Sequence, residues 1–263
     1  MRAFLAIFFL FYATSVSALE FSYIKKTPFD GNKTENTYLL LKGEIMPGDY
    51  QALLNFIASD LKSFLGTTAI ALSLYDGDID EAIKIGRFIK KTHAHVSVGE
   101  YTGKCTGACF LLYASAISRD ALPSTLGINR PYLNPYFINK SPPDQVENIK
   151  KTAFDKARMY LKEQRVPVNI IDEMFRHSSI DVYWLTDSEI HDQIGKRSPW
   201  YEEFLIARCN LKPDLEERYY RTVDKDLIMY INGVYLCGKE QSKTEMIRAL
   251  EYEFNKYNIS INK

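Results

Sequence analysis

The side chains with chemical reach in this chain are few: four cysteines, four histidines, and carboxylates and hydroxyls set in turns. Cys105, Cys109, Cys209 and Cys237 form an even set, for which disulfides are the default in an oxidising compartment. Four cysteines allow three pairings, and sequence neighbourhood favours Cys105–Cys109 and Cys209–Cys237. The first pair requires Cys105 to stand outside the helix that Cys109 enters, because side chains four apart in a regular helix do not meet disulfide geometry. The rival, a zinc centre, lacks a CxxC and a matched histidine pair, so no metal is expected. His93 and His95 share a face if their segment is a strand, which supplies two ligands and no more. Ser115 falls deep in a helical stretch and is expected to pack there. His177 and Asp181 precede a late strand-like run, and His191 with Asp192 follows it.

The elements that must position these groups alternate. Tyr38–Lys42 is an apolar strand-like run, followed by Gly43 and the turn Met46-Pro47-Gly48. A helix carrying Leu53, Phe56, Ile57, Leu61, Phe64 and Leu65 runs to Gly66. Thr68–Leu74 has the length and composition of a buried strand. Asp78 and Glu81 then make a capping-box pattern ahead of a helix that buries Ile79, Ala82, Ile83, Gly86 and Ile89. A third strand is expected at His95–Val98, a helix at about Thr106–Ile117 and a short strand at Thr125–Ile128. Such alternation implies parallel strands joined by right-handed crossovers, an α/β class. Helices follow at Asp144–Gln164 and Val168–Phe175, then a strand at Val182–Leu185 and a Thr186/Glu189 capping box before Gly195. Asn232-Gly233 predicts a hairpin within Asp224–Leu236, and Ser242 with Glu245 predicts the cap of a final helix.

Composition bounds the rest. The chain has 263 residues with 33 basic and 33 acidic side chains, and a balance this even argues against a nucleic-acid partner. Arg2, the apolar run Ala3–Tyr12 and the small residues ending Val16-Ser17-Ala18 read as a cleavable signal peptide over residues 1–18. No later segment is apolar enough to span a membrane, so the mature protein is expected in the periplasm or secreted. Residues 19–36 read as an extended lead-in, 37–197 as the α/β domain and 198–263 as a small α+β C-terminal lobe.

Four segments in order then resemble the Clp-protease/crotonase superfamily. Leu72-Ser73-Leu74-Tyr75-Asp76-Gly77-Asp78-Ile79-Asp80-Glu81-Ala82 is similar to its Ser-Pro-Gly-Gly loop and the helix after it. Gly103-Lys104-Cys105-Thr106-Gly107-Ala108-Cys109-Phe110-Leu111-Leu112 resembles the loop-to-helix segment carrying its serine, closest to an exported bacterial branch with Cys-Ala-Ser-Ala-Cys there. Leu126-Gly127-Ile128-Asn129-Arg130-Pro131 resembles the strand end where serine-type members carry Gly-Val-His-Arg-Pro. Trp184-Leu185-Thr186-Asp187-Ser188-Glu189-Ile190 resembles a late strand–cap–helix element. The resemblance implies a spiral of strand–helix units and a cleft formed by Asp76, Gly77, Gly107, Asn129 and Arg130.

The chain departs from that pattern at each chemical position. A serine enzyme needs a nucleophile beside a base and N–H donors aimed at the developing oxyanion. Gly107 stands at the serine position, and Asn129, which does not titrate, at the histidine position. Asp76 replaces the first glycine of the oxyanion turn. Thr106 and Asp181 are the remaining candidates for nucleophile and orienting acid; a one-residue slip would offer Thr106, with no histidine near the matching strand end. The expectation is a non-catalytic binding or assembly module without cofactor, admitting an extended peptide or protein partner. By resemblance it forms a homo-oligomer. The alternative is a serine-type peptidase or acyl-substrate hydrolase with its nucleophile elsewhere.

Overall fold

The computed structural model describes residues 19–26, 36–99, 103–133, 138–139, 141–222 and 224–261; the expected signal peptide lies outside them. Five strands form one sheet in the order β1 (Glu20–Lys26), β2 (Asn36–Ile45), β3 (Thr67–Gly77), β4 (His95–Val98) and β5 (Ser118–Ala121). β1 runs antiparallel to β2, and β2 to β5 pair in parallel. The described start of the expected extended lead-in, Glu20–Lys26, is an edge strand of the same sheet. Spatial order equals chain order, so each parallel step is closed by helix: α1 (Asp49–Ser59) and α2 (Leu61–Leu65), then α3 (Ile79–Lys91), then α4 (Cys109–Ser115). This is the α/β class expected.

Burial explains why the strands read as continuous apolar runs. Leu39, Leu41 and Ile45 of β2 join the main core, while Tyr38 and Leu40 pack with Ala69 and Ala71 on the other face. The single helix predicted over residues 53–65 is instead two, because Asp60 breaks the run and its carboxylate accepts from Ser63 N at 3.0 Å. Asp78 caps α3, accepting from Glu81 N at 2.9 Å; the Glu81 carboxylate turns away to Tyr50 N and Lys84 instead of closing the box. At Gly86 a Cβ would stand 2.3 Å from the Tyr160 hydroxyl and 2.7 Å from Ser115 Oγ, so glycine sets the approach of α3 to its neighbours. Ser115 is buried there, donating to Leu111 O and bonded to Tyr160.

Beyond β5, β6 (Gly127–Ile128) pairs antiparallel with β7 (Tyr183–Trp184) in a separate two-stranded sheet. Between them run α5 (Pro143–Glu163) and α6 (Val168–Arg176). The Thr186/Glu189 box is reciprocal, with Thr186 N to Glu189 Oε2 at 2.8 Å and Glu189 N to Thr186 Oγ1 at 3.3 Å. It opens a π-helical segment, Glu189–Ile194, that ends at Gly195. Arg119 is buried at 2% exposure and donates to Ala114 O, Gly195 O and Ile194 O, satisfying carbonyls at the ends of α4 and of that segment. Burial lowers its pKa to about 10, which leaves it charged at neutral pH.

The C-terminal region corrects the expectation of an α+β lobe. Its ordered elements are helical: α7 (Pro199–Cys209), α8 (Pro213–Tyr219) and the 32-residue α9 (Lys225–Lys256). Leu227, Ile231 and Val234 are buried together at helical spacing, and this period overrides the Asn232-Gly233 turn signal. The true cap is Asp224, whose Oδ1 accepts from Asp226 N and Leu227 N. Ser242 sits mid-helix, meeting His93 and Tyr201 across the packing face. His93 lies outside β4, so the two histidines share no strand face. Leu250 and Phe254 at the far end of α9 belong to the main core. Among the described residues no helix is long and apolar enough to cross a membrane.

Both favoured cysteine pairings are present, Cys105–Cys109 and Cys209–Cys237. The second closes a loop with a sequence separation of 28 between α7 and α9. Replacing Cys209 and Cys237 by serine is expected to lower the unfolding free energy by about 3.6 kcal/mol, by the chain-entropy estimate. Urea titration followed by far-UV circular dichroism checks this; an unchanged midpoint would contradict it.

Candidate functional site

Parallel strands end together, and the loops leaving those ends are where ligand chemistry collects in an open α/β sheet. Here β2 and β3 end in register, Ile45 opposite Gly77, and Asp78 N donates to Ile45 O at 2.7 Å. Gly77 has φ 142, and a Cβ on it would lie 2.3 Å from Ile45 O. Only glycine fits that close approach. The loop before α4 is pinned from both sides, by Thr106 N to Leu74 O at 3.1 Å and by Cys105 N to Thr125 O at 2.9 Å. Cys105 pairs as an isolated bridge with Leu126, outside the helix, which lets it reach Cys109 at the first position of α4.

The Asp76 side chain occupies the centre of this convergence. Its Oδ1 accepts from Gly77 N and Ala108 N, each at 2.9 Å, and its Oδ2 accepts from Tyr132 N at 3.0 Å. Burial pushes its carboxyl up to about 7; the three N–H donors pull the other way and the Glu44 charge adds to the rise. Gly107 has φ 58, and a Cβ on it would stand 2.3 Å from Asp76 Cγ. The Asp76 carboxyl therefore fills the space into which a side chain at residue 107 would extend.

Gly77 and Gly107 lie against the Asp76 carboxyl, and Asp76, Thr106 and Asn129 line one cavity of about 530 Å³. Thr106 Oγ1 donates to Tyr75 O. Asn129 is 2% exposed; its Nδ2 donates to Ser179 O at 2.8 Å, and its Oδ1 has no partner among the described residues. Arg130 departs from the expected cleft: its Nη2 donates to Phe175 O at 3.0 Å and its guanidinium lies over the Phe154 ring. Asp181 does find a histidine, His177 Nδ1 at 3.0 Å, with Glu173 on the opposite ring nitrogen at 2.9 Å. The two hydrogen-bonded carboxylates raise the pKa of His177, and none of the three lines the cavity. Sequence reasoning missed Glu44, Tyr75 and Ile180 as lining residues. The position of Glu44 one residue before the end of β2, beside the strand carrying Asp76, is the signal that could have found it. Among the described residues no cluster of three or more His, Cys, Asp and Glu side chains is placed to hold a metal.

No family model and no curated protein matches the chain. One solved structure, "Crystal structure of a putative enoyl-CoA hydratase from Streptomyces avermitilis", is similar over 88% of this chain and 85% of its own, at 14% identity and a TM-score of 0.37.

Two outcomes follow from the Asp76 geometry. Gly107→Ser forces a side chain into left-handed backbone and onto a carboxyl fixed by three hydrogen bonds, and is expected to destabilise by about 1–3 kcal/mol. Adding Asp76→Gly should recover the steric part, and a double-mutant cycle in urea measures the coupling. Because the folded-state pKa of Asp76 lies above its unfolded value, the stability tied to its proton is full below about pH 4 and is lost as pH rises through about 7. A ¹³C NMR titration of aspartate carboxyls should show a midpoint near 7 that disappears in Asp76→Asn; a midpoint below 4 for Asp76 would contradict the assignment.

Proposed function

We propose that this is an exported, non-catalytic protein of the Clp-protease/crotonase-like kind, whose strand-end cleft binds an extended peptide or protein segment instead of cleaving it. The observation carrying this reading is the Asp76 carboxyl seated on Gly77 N, Ala108 N and Tyr132 N. In a serine-type site, backbone N–H groups at such a place receive the oxyanion of the tetrahedral intermediate. Here an internal carboxylate already takes them, so an oxyanion would meet a negative charge and no free donor. The missing nucleophile follows from the same contact, since residue 107 has no room for a side chain. Asn129 supplies no base.

Export is supported by the pattern of residues 1–18 and by two disulfides. An extended segment is the occupant we favour because the cleft lies at the strand ends and is lined by loop residues, among them the exposed Tyr75 and Ile180. A second reading, hydrolysis of an acyl substrate with Asp76 as general base, draws on its carboxyl being pushed up to about 7. Against it, both oxygens of that carboxyl are already engaged by N–H donors.

A fluorophosphonate probe separates the readings. The mature protein is expected to show no labelling above a heat-denatured control. Labelling that disappears in Thr106→Ala or Ser115→Ala would overturn the non-catalytic assignment.

A further inference from the structure

The polarity of the cleft says what kind of group it can hold, and this inference rests on the binding reading above. Two carboxylates line it, Asp76 and Glu44, and no basic side chain does among the described residues. Two cations on the loops that form the cleft have partners of their own: Lys104 lies 4.4 Å from the centre of the Trp184 ring, and Arg130 is held by Phe175 O and Phe154. Asn129 adds an independent observation. Its Nδ2 bond to Ser179 O fixes the orientation of the amide and leaves Oδ1 as the acceptor, buried and without a partner among the described residues, on a residue that lines the cavity. A buried acceptor without a donor loses its hydration with nothing in return, so a donor-bearing ligand is the natural complement. The tyrosines Tyr75 and Tyr132, both exposed, also line it and offer ring faces of the kind that attract cations.

We infer that the cleft takes a positively charged, hydrogen-bond-donating group: the ammonium or guanidinium end of a Lys or Arg side chain carried by an extended peptide. Such a group presents several donors and no acceptor, matching Asn129 Oδ1 and the two carboxyl side chains, Asp76 and Glu44, that line the cavity. Ile180 at 92% exposure and Val182 give the aliphatic stem and its neighbours an apolar wall. The charge preference is the reverse of what a vacant set of backbone N–H groups would select, and the internal carboxylate is the cause.

The test uses the mature protein and three fluorescent pentapeptides, Gly-Val-Xaa-Val-Gly with acetylated and amidated ends, where Xaa is lysine, norleucine or glutamate. Fluorescence anisotropy is expected to show the lysine peptide binding about tenfold more tightly than the norleucine peptide, with the glutamate peptide weaker still. Glu44→Gln, at a half-buried position, should reduce the lysine preference by about threefold or more. Asn129→Leu should lower it as well, with circular dichroism confirming the fold. Equal affinity for lysine and norleucine peptides would overturn the charge inference while leaving the binding reading intact. Absence of binding by all three, together with fluorophosphonate labelling, would overturn the binding reading itself. n-Butylammonium competing as strongly as the lysine peptide would overturn the peptide as source and point to a free amine.

Discussion

A carboxylate held by three backbone N–H groups at the meeting point of two loops and a strand end is the constraint on which this site depends. Asp76 draws Gly77, Ala108 and Tyr132 toward one point. Each bond to an ionised acceptor is stronger than a neutral one, and together they hold the carboxyl where burial alone would exclude it. The consequences spread outward by exclusion. Residue 107 must lack a side chain, the cavity wall becomes acidic, and the N–H groups that would serve an external anion are satisfied internally. One side chain thus shapes the cleft and contributes to its acidity.

The frame that makes this convergence possible is the register of β2 and β3. Because Ile45 faces Gly77, the loops leaving the two strands start at the same height, and the 103–108 loop is drawn up to Leu74 by its own backbone bond. Glycine at residue 77 is what lets the chains approach that closely. Elsewhere the fold solves the same accounting of polar groups with Arg119, whose buried guanidinium is answered by carbonyl oxygens at two helix ends. Three charge-assisted bonds offset the desolvation that lowers its pKa.

How much of this was legible in the sequence depended on whether the deciding contact was local. The runs that became β2, β3 and β4 were readable because a strand buried on both faces is apolar throughout, and His95–Val98 fell on the residues expected. The disulfide pairings followed from proximity along the chain. The hairpin at Asn232-Gly233 failed because a two-residue turn signal was weighed above a helical period in Leu227, Ile231 and Val234, with Cys237 tied to a neighbouring helix. Asp76, Gly107 and Asn129 were found through the resemblance of their segments. That Asp76 would reach over to Ala108 N, or Asn129 to Ser179 O fifty residues on, depends on loop paths that no local pattern encodes. Arg130 was misplaced for the same reason: its neighbour in sequence faces the cleft, while its own side chain crosses to Phe175.

The bond between Cys209 and Cys237 spans the stretch that holds α8 and the exposed Tyr220. Scission of the backbone anywhere inside that stretch would leave two fragments still joined through sulfur, each anchored to its own packed helix. Where proteases are common and reductants scarce, this arrangement turns a single nick from a fatal event into a silent one.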